Sequence, residues 1–141
     1  MQRIDMENSE LTAIREKLID EIMPVCDRVR VMFIEQYESL KERPLFERMW
    51  VLRDFNDYAG MPADEWLILL NDLKDICDNR NLKALAKIKI PLHWLVDYIK
   101  HLQDLAKEHI KDKDELKKAI TYLSNWQQST QCLKKLMDKV K

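Results

Sequence analysis

Glycine occurs once in 141 residues, at Gly60. Phosphate-cradling loops and dinucleotide turns need several glycines, because the backbone must approach the ligand closely. A nucleophile elbow needs them around a strained turn. None of these can be built here in usual form, and hairpin-rich β folds are disfavoured as well. Cysteine is sparse and odd in number: Cys26, Cys77 and Cys132 lie far apart, with no CxxC spacing. This suits a reduced, cytoplasmic setting in which each thiol serves as a small apolar side chain. The three histidines, His93, His101 and His109, stand eight apart. On a helix that spacing turns each about 80° from the last, so they do not share a metal. No metal, cofactor or catalytic residue is expected. No apolar run reaches the length of a membrane span,, and Met1 to Glu7 are too charged for a secretory signal,.

What is present is helical periodicity. From Lys113 to Val140, Leu116, Leu123, Thr130 and Met137 stand seven apart, and Ala119, Trp126, Leu133 and Val140 fill the second seam. Such a stripe must be buried against other helices. Ile120 and Leu136 widen it, and Trp126 is bulky for a two-stranded coiled coil,. The expectation is burial within the chain's own bundle rather than a lateral homodimer. The apolar fraction of 46% supplies a core, and a chain this long buries about two-thirds of its unfolded surface.

The remaining pattern predicts a loose lead-in over residues 1–8, then a long helix over about 9–42, capped by Ser9 and kinked near Pro24,. A second helix starts after Pro44, turns Leu45, Met49, Leu52 and Phe55 inward with Phe46 and Trp50 widening the face, and stops at Gly60,. A third begins near Pro62, and a short fourth runs from Leu82 to about Ile88. A fifth has Pro91 in its first turn and runs to about His109,. Asp112 and Glu115 supply a capping box for the last,. The fold class expected is all-α, a single compact bundle of five or six helices.

Three sets of residues are candidates for function. Trp66 and Trp94 sit near helix starts, where burial is less certain, and an exposed tryptophan is a common interface anchor,. With the acidic row Asp72, Asp75 and Asp78 they form the candidate partner-binding set. Charge is uneven: residues 1–81 carry 11 bases and 18 acids, residues 82–141 carry 13 and 7, all thirteen bases being lysines. Attraction between two parts of one bundle explains this; a basic surface for an acidic partner is the sharper reading. The candidate nucleic-acid-binding set is therefore Arg80, Lys83, Lys87, Lys89, Lys134, Lys135 and Lys139,. Glu35 with Glu38, and Asp54 with Asp57, each place two carboxylates three apart, where they can share a divalent cation,. That pattern is similar to all-α nucleotide pyrophosphatases, which set acidic pairs on helices around magnesium.

The function these features suggest is a non-enzymatic protein-interaction module: an adaptor, regulator or inhibitor of a larger protein. Its size would suit a phage or other mobile element. It is expected to be a monomer or homodimer, away from membranes. Nucleic-acid binding ranks second and magnesium-dependent nucleotide hydrolysis third.

Overall fold

A computed structural model describes residues 2–140, with side chains from Glu10 onward. The described residues form six helices and no strand: α1 (Gln2–Leu40), α2 (Leu45–Ala59), α3 (Ala63–Asp78), α4 (Leu82–Lys87), α5 (His93–His109) and α6 (Lys113–Val140). The expected all-α bundle, with a long first and a long last helix, is what the chain builds.

Helix α1 begins at Gln2, so the segment expected as a loose lead-in continues the helix, and Ser9 lies inside it rather than capping it. No glycine or proline stands between Gln2 and Ser9 to stop the backbone,. The helix also runs on through Pro24. Proline removes one hydrogen bond to the preceding turn. Ile22, Val25, Cys26 and Val29 are buried on both sides of it, and tertiary burial of that face holds the helix together across the gap.

Local chemistry explains the other ends. Gly60 adopts a left-handed conformation (φ 71°), and its N–H donates to the Asn56 carbonyl, closing α2,. The Asn81 side chain accepts from the N–H of Ala84 at 3.1 Å and caps α4,. Asp112 accepts from the N–H of Asp114 at 2.9 Å at the start of α6. Helix α5 starts at His93, two residues beyond Pro91. The proline was expected inside the first turn. It instead belongs to a non-helical link from Ile88 to Leu92, and Leu92 rather than Ile90 precedes the first residue of α5.

Helix α1 is the hub, packed against α3 on one side and α6 on the other, while α5 pairs with α6. The stripe of α6 is buried within this assembly at Leu123, Trp126, Thr130, Leu133, Met137 and Val140. Thr130, its polar exception, donates its hydroxyl to the Trp126 carbonyl at 2.8 Å, while the buried Trp126 indole N–H meets no acceptor among the described residues,.

Cys26 and Cys77 are buried and Cys132 is exposed, so two thiols act as apolar filler and the third does not. Burial pushes Cys26 up from 9.0 to about 12 and Cys77 to about 11. A native sample should therefore show one thiol reacting rapidly with an aromatic disulfide reagent at pH 8, and three after unfolding,. Above pH 9 the unfolded chain gives up these protons before the folded one does. Stability that is complete below pH 9 should thus fall by roughly 2–4 kcal/mol between pH 9 and pH 11. Urea midpoints across that range test this, and Cys26→Ala should flatten the slope.

Candidate functional site, a half-open apolar cleft beneath α2

Helix α2 behaves differently from the rest. Among its described residues Phe55 alone is buried. Leu45, Phe46, Met49 and Trp50 are 64%, 85%, 62% and 53% exposed, and Leu52 also reaches water. The inward face expected for Leu45, Met49 and Leu52 is therefore not formed. Helix α2 packs on α5 and α3; the faces of α1 are already taken by α3 and α6, so none of the described residues covers the first half of α2.

The second half is anchored. The Phe55 ring meets Trp94 and Tyr98 edge-on, with centroids 5.1 and 5.3 Å away, and Phe33 at 5.6 Å. Such pairs add about 0.5–1.5 kcal/mol each beyond area burial. Beside it, Asp54 Oδ2 lies 2.9 Å from His101 Nε2, and the Tyr58 ring stacks on His101 at 5.1 Å. Burial first, then the nearby Asp54 carboxylate, raises the Tyr98 phenol well above its ordinary range, so it stays protonated.

Because α2 is anchored at its C-terminal half only, a cleft of about 610 Å³ opens between it and the ends of α1, α5 and α6. Its floor includes Phe33, Phe55, Leu123 and Trp126, its walls include Leu105 and Trp50, and Arg43, Glu47 and His109 stand among the polar lining residues. The first heptad of the α6 stripe, Leu116 and Ala119, is only half-buried, and Ala119 lines this cleft. Tyr122 crosses its wall: the hydroxyl lies 3.1 Å from the Met32 carbonyl and 3.0 Å from Glu35 Oε2. Burial pushes this phenol up to about 12. The volume lies in the range of ligand pockets, about 300–1,000 Å³.

The residues singled out from sequence fall elsewhere. Trp66 is fully buried and Trp94 is 6% exposed. Their rings meet edge-to-face at 4.9 Å. As partner anchors they are corrected: a first-turn position did not leave either indole at the surface, because α3 and α5 bring these turns to the centre of the bundle. The exposed tryptophan of this region is Trp50. Asp72, Asp75 and Asp78 are exposed, with Asp78 held by Lys74 at 2.6 Å.

Of the basic set, Arg80 is engaged, its guanidinium 2.8 Å from Asp20 Oδ1 and 3.1 Å from the Glu16 carbonyl. Lys83, Lys87, Lys89, Lys134, Lys135 and Lys139 are exposed. Among the described residues, no lysine after Leu82 lies within ion-pair distance of an acid. The expected attraction between the acidic and basic parts therefore makes no direct lysine pair. Lys134 and Ile90–His93 line one small crevice, which sets the chain just after Lys89 against the lysine-bearing end of α6.

Three of the four paired carboxylates have separate partners, and Asp57 has none among the described residues. Glu35 meets Tyr122, Lys41 holds Glu38 at 3.1 Å, and Asp54 meets His101. Among the described residues no three His, Cys, Asp or Glu side chains gather as metal ligands, and no helix is long and apolar enough to cross a membrane.

The cleft was missed from sequence, although one signal pointed to it. Leu45, Phe46, Met49, Trp50, Val51, Leu52 and Phe55 wrap most of the circumference of α2. A helix apolar all round is either fully enclosed or short of partners.

No family of known proteins, no curated protein and no solved structure matches this chain.

Proposed function

We propose that this protein is a non-enzymatic interaction module, an adaptor, regulator or inhibitor. In this reading it receives an apolar helical segment of another protein in the cleft beneath α2. The observation that carries the reading is the cleft itself: large apolar side chains line an open trough, bordered by Arg43, Glu47 and His109. Helix-in-groove recognition needs such an apolar trough, and the polar groups at its edge set orientation. Anchoring at one end leaves α2 able to adjust to its ligand, since few buried contacts hold its first half,.

The test is capture of a stoichiometric partner from native cell extract by the immobilised chain, repeated with Leu105→Glu. A charge on the cleft wall should weaken capture at least about tenfold, because it would be buried unpaired in the complex, while the circular dichroism spectrum is retained. Equal capture by both forms would sink the reading.

Nucleic-acid binding through Lys83, Lys87, Lys89, Lys134, Lys135 and Lys139 is the second reading, supported by the absence of lysine ion pairs after Leu82 among the described residues. In the same series the chain is mixed with DNA and RNA at about 50 mM salt; lack of retardation there removes this alternative.

A further inference from the structure

We infer that the exposed ridge of α2 at the cleft mouth is a contact between two antiparallel copies of this chain, related by a two-fold axis passing at Trp50, so that this contact and an occupant of the cleft share Arg43, Glu47 and Trp50. Phe46, Trp50, Arg53 and Asp57 follow one another at steps of four, three and four, which puts them on one ridge of the helix. The apolar members are the most exposed large side chains of α2 together with Leu45 and Met49. Leu45, Phe46, Met49 and Trp50 together leave on the order of 500 Å² of side chain in water per copy,. That is near the upper end of the largest apolar patch on an ordinary monomer, about 300–600 Å². In a two-fold contact the patch counts twice, and with a charged rim it reaches the lower end of a stable interface, about 1,200 Å².

The rim charges choose the occupant. Glu47 and Arg53 stand three residues either side of Trp50; Arg43, just before the helix, and Asp57 stand seven either side. All four are exposed. Among the described residues none has an ion pair or side-chain hydrogen bond within the chain. Read along the helix, the signs run plus, minus, Trp50, plus, minus. A copy lying antiparallel reverses the order, so Glu47 faces Arg53 of the other copy, Arg43 faces Asp57, and each contact occurs twice. A parallel copy would set like against like at every position, which disfavours that arrangement. An unrelated partner would have to supply this alternation independently; a second copy has it by symmetry.

Sedimentation equilibrium of the purified full chain between about 10 and 200 μM tests the inference. The mass should approach twice the 17.0 kDa of one chain. Glu47→Arg alone and Arg53→Glu alone should each raise the dimer dissociation constant at least about tenfold, since each substitution acts twice. The double variant Glu47→Arg/Arg53→Glu restores opposite signs across the axis and should return within about threefold of the parent. Phe46→Glu should leave monomer. All of these positions are exposed, so folding is checked by an unchanged circular dichroism spectrum. A single-chain mass at the highest concentration overturns the proposal. So does a dimer indifferent to Phe46→Glu, or single swaps that the double variant does not repair. Only the pure chain is used, so such a result would leave the cleft reading standing.

Discussion

Trp66→Ala should lower the unfolding free energy by about 3–5 kcal/mol, the range for removing a large aromatic from a packed core. Trp66 is fully buried, its ring set edge-on to Trp94, and the truncation leaves a hole that neighbouring helices fill only in part. Against a typical total of about 5–15 kcal/mol, the variant sits close to unfolding at room temperature. Urea denaturation followed by circular dichroism measures the change. A loss below about 1 kcal/mol would mean that the indole lies at the surface after all, and Trp66 would return to the list of partner anchors.

Phe55→Ala should act locally. Phe55 is the buried side chain of α2 and the centre of the contacts with Phe33, Trp94 and Tyr98. Its removal costs about 3–5 kcal/mol, and this falls on the docking of α2 more than on the bundle. Amide exchange in α2 should accelerate by two orders of magnitude or more, roughly, while α1, α3 and α6 keep most of their protection. Phe55→Leu retains the apolar volume and should lose less than half as much. Uniform loss of protection across all helices would show that α2 is integral to the core and that the cleft is not set by a one-ended anchor.

Helix boundaries were legible because they are local. Gly60 ends α2 by its left-handed conformation, and Asn81 caps α4. Two boundaries differed: nothing in residues 2–9 breaks a helix, so α1 begins early, and α5 starts two residues after Pro91. The seven-residue spacing of α6 announced a buried stripe, and the stripe is buried over its last three heptads. The candidate sites fared differently. Trp66 and Trp94 are in the core, Arg80 is bound to Asp20, and the cleft was anticipated by no motif.

Periodicity, proline, glycine and caps act over a few residues, so the chain alone determined that it forms helices, where they end, and which faces are apolar. Whether an apolar face stays in water depends on whether another element arrives to cover it. Only the tertiary structure decided that α1 would spend its faces on α3 and α6, leaving α2 held by Phe55 with Phe46 and Trp50 in solvent. Burial is a property of the assembled neighbours, and no local window of sequence contains them.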